Sequence, residues 1–238
     1  MRVVILIPAR YASSRYPGKP LVELKGSDGI SKPLIQRSWE TALEVPGISD
    51  VFVATDDDRI ARCVEGFGGK VIMTSETCAN GTERCAEAMT TLEDKPDLIV
   101  NLQGDAPLTP PWFLDALIDA LRARPDVMVA TPVLRCDQQT YAHFKGDRAE
   151  GRVGGTTAVF GRDGRALYFS KEVIPYLPEG RASDPPVFHH VGVYAYRPEA
   201  LMQYAGWTEG PLEVNEGLEQ LRFLENGEKI LCVEVDAK

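Results

Sequence analysis

Runs of apolar residues recur along this chain, and each empties into polar positions at its carboxyl end. Val3-Val4-Ile5-Leu6-Ile7 reads as a buried strand that breaks at Pro8. Helical spacing follows at Leu34, Ile35, Trp39, Ala42 and Leu43, stopped by Pro46-Gly47. Val51 to Thr55 reads as a second strand, and Asp56-Asp57-Asp58 cap and charge the next helix, with Ile60, Val64 and Phe67 inward until Gly68-Gly69. A third strand over Lys70–Thr74, a helix with Cys85, Ala88, Met89 and Leu92 inward, and a fourth strand over Leu98–Leu102 continue the alternation. A helix over about 111–124 and a strand over Val127–Leu134 complete it. Near-continuous apolar strands alternating with helices predict a parallel sheet covered on both faces.

Beyond Leu134 the pattern changes. Residues 137–155 are polar and Gly-rich with no periodicity, and His143 falls in what reads as a solvated loop. Thr156–Phe160 and Arg165–Ser170 flank Asp163-Gly164 and read as an antiparallel hairpin. The proline-rich stretch 175–186 reads as a loop, and His189–Tyr196 as a strand with one histidine inward and one outward. Pro198 starts a helix ending near Trp207, Leu212–Glu225 reads as one helix with Leu218, Leu221 and Leu224 inward, and Ile230–Val235 is a last strand. The expectation is one α/β domain over residues 1–238, with a β-rich insertion at about 137–197 that serves a sugar site or a dimer contact.

Charge narrows the partners. A net charge of −9 argues against nucleic acid or an anionic membrane, so any bound anion needs a local cluster of cations. The loop after the first strand supplies one, with Arg10, Arg15, Lys19, two serines and Gly18. A strand emptying into such a loop suits phosphate, although an ordinary solvated basic loop would look similar. Five cysteines without a C-x-x-C pair indicate neither a disulfide frame nor a zinc site, and Cys63 and Cys85 read as small core residues. The apolar start is too short for a signal peptide and no window approaches the roughly 18 apolar residues of a membrane span, so a cytoplasmic protein is expected.

Ligands of open parallel sheets bind outside the carboxyl ends of the strands. The Arg10–Lys19 loop, the Ser75–Arg84 segment and Gln103-Gly104-Asp105 fall there. A carboxylate at Asp105 facing a phosphate loop would repel the ligand unless a divalent cation lay between them, which points to Mg²⁺; a plain helix cap is the alternative for this residue. The three histidines form no triad. Cations, a metal carboxylate and no protein nucleophile together suggest nucleotidyl or phosphoryl transfer between bound substrates.

The segments IPARYASSRYPGKPL, TDDDRIARCVEGFGGKVIMTS with NGTER, VNLQGDAP, ALYFSK, HHVGVYAYR and PLEVNEGLEQLRFLENGEKI resemble, in order, the 3-deoxy-D-manno-octulosonate (Kdo) cytidylyltransferases, or CMP-Kdo synthetases. The resemblance implies a three-layer, Rossmann-like nucleotidyltransferase α/β fold with a mostly parallel central sheet. It implies that CTP and Kdo give CMP-Kdo and pyrophosphate for lipopolysaccharide synthesis, with Mg²⁺ required and a cytoplasmic homodimer as the working form. Arg10, Lys19 and Asp105 would then be catalytic, with Asp105 a metal ligand. Ala9, Arg10, Ser13, Arg15, Lys19, Ser75, Asn80, Gly81, Arg84 and Gln103 would hold the nucleotide, with Thr82 in the same segment. Gln103, Lys171, His190, Tyr194, Glu213, Glu216 and Gln220 would hold the sugar acid. A synthetase for 8-amino-Kdo or a sialic-acid-like keto acid, and a non-catalytic nucleotide-binding protein, are the alternatives.

Two departures from the family pattern stand out. The family usually carries a further metal-binding Asp in a V-D-x-P-like segment after the last strand. This sequence ends at Lys238 before such a segment, and Asp236 lies too early to match it, so a tail carrying that ligand is expected. Val153-Gly154-Gly155-Thr156-Thr157 stands where a lysine-bearing strand is more usual.

Overall fold

The computed structural model describes residues 1–12, 16–178 and 185–237. Its strands are β1 (Val3–Ala9), β2 (Glu23–Lys25), β3 (Ser31–Pro33), β4 (Asp50–Thr55), β5 (Lys70–Met73), β6 (Leu98–Asn101), β7 (Val129–Arg135), β8 (Thr156–Phe160), β9 (Ala166–Ser170), β10 (Phe188–His190), β11 (Tyr194–Tyr196) and β12 (Ile230–Glu234). Its helices are α1 (Leu34–Leu43), α2 (Asp58–Gly66), α3 (Gly81–Thr90), α4 (Pro111–Ala123), α5 (Gln138–Ala149), α6 (Pro198–Gly206), α7 (Pro211–Glu216) and α8 (Leu221–Glu225). The chain divides into two compact units, Met1–Ile118 with Val193–Gly206, and Asp119–Gly192 with the segment from Trp207 onward.

In the first unit the strand order is β5-β4-β1-β6-β11. β1, β4, β5 and β6 are parallel, while β11 runs antiparallel to β6. β1 is the central strand, and Val3 through Ile7 are fully buried. Each such side chain contributes roughly 1.5–3 kcal/mol relative to exposure, which is why the apolar run was legible as a strand. Ile35 of α1, Ile60 and Val64 of α2, and Cys85 and Ala88 of α3 bury the apolar stripes of their helices in this unit. The aspartates after β4 cap as expected: Asp57 accepts the Arg59 backbone N–H at 2.8 Å, and Asp58 lies in the first turn.

The second unit is mixed. β7 pairs parallel with β12 and antiparallel with β10; β10 pairs antiparallel with β8, and β8 with β9. The hairpin anticipated around Asp163-Gly164 is β8–β9, with Gly164 at φ +80°.

Three expectations are corrected. Residues 138–149 form helix α5, not a loop, and the exposed His143 sits on it. Its buried residues are Phe144 and a charged one, Asp147, which Arg152 grips through Nε and Nη2, so no apolar stripe marks it. The segment 212–225 is two helices: Gly217 adopts φ +60° and its N–H closes on the Glu213 carbonyl at 2.7 Å, ending α7 before α8 begins. The strand expected over His189–Tyr196 is interrupted at Val191-Gly192-Val193, with β10 paired to β7 and β8, and β11 to β6. Within it His190 is buried and His189 half-buried. Among the described residues no helix is long and apolar enough to cross a membrane.

Candidate active site

In the first unit the site grows from two neighbouring parallel strands, β1 and β6. Arg10 follows β1 and is exposed. The chain returns at Gly18, whose N–H donates to the Tyr11 carbonyl at 2.9 Å. Gly18 has φ +73°, and a Cβ there would meet the Tyr11 ring at 3.0 Å, so glycine is needed for both conformation and space. The Arg59 guanidinium lies over that ring, 3.3 Å from its centroid. Ser13 and Arg15 lie outside the described residues.

Lys19 begins a short 3-10 turn, and its Nζ donates to Asp105 Oδ2 at 2.6 Å. Asp105 is brought there by Gly104. A side chain at Gly104 would meet the Pro8 carbonyl at 2.9 Å, so only glycine lets the β6 end approach the β1 end this closely. Ser38 fixes the turn by donating to the Gly104 carbonyl at 3.1 Å. Lys19 and Asp105 are each about half exposed, at 46% and 52%. The pair is therefore a solvated one, available for exchange with a ligand, not a buried structural bridge.

The segment before α3 supplies the second wall. Asn80 Oδ1 accepts the Glu83 N–H at 2.9 Å, and Asn80 Nδ2 donates to the Tyr204 hydroxyl at 3.0 Å. Its side chain thus fixes the start of α3 and leaves the Gly81 backbone facing Gln103; a Cβ at Gly81 would lie 3.1 Å from Gln103 Nε2. Thr82 shares a 3.1 Å hydrogen bond with Tyr196. Arg84 is 3% exposed and donates to Thr74 Oγ1 and to the Ser75 carbonyl, with Asp56 at 3.5 Å. It shapes the Ser75 turn from beneath. Ser75 Oγ lies 2.7 Å from Thr77 Oγ1, and its N–H donates to Glu87. Tyr194 is buried on β11 and stacks on Tyr196, centroids 5.8 Å apart.

The remaining residues expected at the sugar lie in the second unit. Glu216 accepts from Ser170 Oγ at 2.6 Å and from the Lys171 N–H at 2.9 Å. Lys171 Nζ occupies the space a Cβ at Gly217 would enter, 2.9 Å away. Glu213 is buried and held bidentately by the buried Arg222, at 2.6 and 2.8 Å. Gln220 is also buried. His190 is 6% exposed, lies 2.9 Å from Thr131 Oγ1, and packs edge-on against Phe169. Burial pushes its imidazole down to about 3, so it is neutral near pH 7 and offers hydrogen bonding rather than charge.

Residues that sequence reasoning passed over complete the framework. Tyr11 and Arg59 clamp the first loop, Arg222 holds Glu213, and Glu225 accepts the Leu212 and Glu213 N–H groups at 2.9 and 3.0 Å, capping α7. The one available signal was Arg222, a charge between Leu221 and Phe223 in an otherwise apolar run.

A metal can be tested against these groups. Among the described residues no cluster of three or more His, Cys, Asp or Glu could hold an ion. Asp105 supplies one exposed carboxylate, which fits Mg²⁺ held by one or two protein carboxylates, waters and substrate phosphates, and does not fit a dedicated all-protein cage.

An open parallel sheet with cations, a carboxylate and an amide gathered at adjacent strand ends defines an α/β protein built to receive a phosphorylated ligand. A family model described as cytidylyltransferase matches residues 4–230. A 3-deoxy-manno-octulosonate cytidylyltransferase of Maricaulis maris is 43% identical over 238 residues, covering 99% of this chain and 89% of the relative. An 8-amino-3,8-dideoxy-manno-octulosonate cytidylyltransferase of Shewanella piezotolerans is 44% identical over 235 residues, covering 97% and 89%. Among solved structures, a CMP:2-keto-3-deoxy-manno-octonic acid synthetase complexed with CTP superposes with a TM-score of 0.86 at 39% identity, covering 100% of this chain and 91% of that one. The chain belongs to the cytidylyltransferase family, and its relatives place it with the 3-deoxy-manno-octulosonate cytidylyltransferases.

Proposed function

We propose that this enzyme transfers the cytidylyl group of CTP to 3-deoxy-manno-octulosonate. The anomeric hydroxyl forms the new bond to the α-phosphorus, the bond to the bridging oxygen breaks, pyrophosphate leaves, and the hydroxyl proton passes to solvent. The observation that carries the reading is the Lys19–Asp105 contact of 2.6 Å at the ends of β1 and β6, in a chain matched by the family over residues 4–230.

In this reading Lys19 leaves Asp105 for the triphosphate when CTP arrives. Arg10 and Lys19 then neutralise charge gathering on the phosphate oxygens, and positioning supplies the rest of the rate. Asp105, freed from Lys19, would hold Mg²⁺ together with the phosphates. Bound there, Mg²⁺ supplies Lewis-acid polarisation of the phosphoryl oxygens. Gly81 and Gln103 face the nucleotide, with Arg84 supporting Ser75 from below. Lys171, Glu216 and the neutral His190 serve the carboxylate and hydroxyls of the sugar acid. Glu213 acts through Arg222 as the anchor of α7. Lipopolysaccharide synthesis in the cytoplasm would use the product. A homodimer is supported by β9, the terminal strand of the sheet among the described residues, where Leu167 is 68% exposed.

The test is pyrophosphate release from CTP and Mg²⁺ with a panel of keto acids. Kdo should be the preferred acceptor; release with 8-amino-Kdo alone would move the enzyme to the other relatives' substrate, and no release with any acceptor would sink the proposal. Asp105→Asn should lose Mg²⁺-dependent turnover, by about 10²-fold or more, while remaining folded, and normal activity would remove Asp105 from the metal.

A further inference from the structure

Asn101 is the last residue of β6 and is fully buried, in register with Leu6 on β1 and Tyr194 on β11. Its two amide atoms are treated differently. Oδ1 accepts from Gln103 Nε2 at 3.4 Å, whereas Nδ2 is buried without a hydrogen-bond partner among the described residues. A leucine would fill similar volume with no unpaired donor to desolvate, so the amide destabilises its own strand end. Such a group calls for a use, and the neighbour it engages is Gln103.

We infer that Asn101 is a positioning residue that holds the Gln103 side chain in place at the end of β6. Gln103 Nε2 donates to Asn101 Oδ1, which ties the side chain back to the buried strand end. Gly81 closes the other side, because the Gln103 amide atoms lie 3.1 and 3.3 Å from where its Cβ would stand. The amide is thereby wedged between a buried strand end and the start of α3.

The inference rests on the reading of Gln103 as a substrate contact, and a double-mutant cycle tests it. Asn101→Leu should lower kcat/KM about tenfold while leaving the melting temperature unchanged or higher, since the unpaired donor is gone. In a Gln103→Ala background the same substitution should change kcat/KM less than twofold. A cost undiminished in that background would overturn the positioning role. Should Asn101→Leu fail to fold, Asn101→Ser withdraws the acceptor with a smaller change, and the same cycle applies. The Gln103 side-chain amide resonances of the ligand-free protein give a readout independent of turnover: they should shift in either Asn101 variant, and unchanged resonances would refute the contact. Wild-type protein inactive with CTP and every keto acid would remove the functional reading, while the spectra would still decide the Asn101–Gln103 coupling.

Discussion

A methyl group added at Gly81 would lie 3.1 Å from Gln103 Nε2 and 3.3 Å from Pro8 Cγ. Gly81 is not at positive φ, so alanine suits its helical backbone and the conflict is one of space alone. Gly81→Ala should therefore keep its stability within about 0.5 kcal/mol yet lose roughly tenfold in kcat/KM, about 1.4 kcal/mol of transition-state binding. Thermal melts beside steady-state kinetics would check it. The Glu213–Arg222 pair gives the opposite signature. Both side chains are buried, so Arg222→Met strands a carboxylate and should destabilise by about 3–5 kcal/mol, with Arg222→Met/Glu213→Leu recovering most of the loss. Urea titration of the three proteins would show it. The place of Gln103 and Asp105 at the end of β6 was legible in the sequence, because a polar residue just after a buried run falls at the strand's end. Arg222 and Asn101 were not, because their meaning lies in Glu213 and Gln103, and no periodicity announces which side chain a buried amide or guanidinium will meet.

Among the elements, those that bury an apolar face were readable and those held by polar contacts were not. β1, β4, β6 and α2 wrote themselves as apolar runs or stripes. Helix α5 is sustained by the Asp137 cap, which accepts the Thr140 N–H at 2.7 Å, and by the Asp147–Arg152 pair. Neither leaves a hydrophobic trace. The break between α7 and α8 depends on one left-handed glycine and on Glu225, which lies in α8 and caps α7. Glu225→Ala should cost about 1 kcal/mol, as loss of a side-chain N-cap does. Because α7 ends in Glu216, the variant should also raise KM for the sugar acid more than KM for CTP. Equal changes in the two constants would separate α7 from sugar binding.

Across the whole molecule, several groups make stability depend on pH in the same direction. Asp57, held by its bond to Arg59, Asp137, held by the Thr140 N–H, and Glu172, held by Arg148, all titrate below the usual carboxylate range. His190, buried, sits at about 3 against an ordinary value near 6.5. A depressed folded value means that the unfolded chain takes up the proton first, so stability is present above the unfolded value and falls as pH drops toward the folded one. The His190 share is lost between about 6.5 and 3. His190→Gln should accordingly show a smaller fall in urea midpoint between pH 7 and pH 4.5 than wild type, and an equal fall would mean that the imidazole does not titrate as buried.

The Lys19–Asp105 contact also bears on how fast a nucleotide arrives. A cation already compensated by a carboxylate 2.6 Å away projects little field beyond the Debye length, so the loop steers a triphosphate less than its composition suggests. Against a net charge of −9, association of the anionic triphosphate should be slow at low ionic strength and should speed up as salt screens the repulsion. Replacing Asp105 with Asn would unmask the ammonium, and stopped-flow measurement should then show faster encounter with CTP at low salt, a gain that fades as salt is added. The residue that limits chemistry when removed would thus be one that, in the resting enzyme, limits capture.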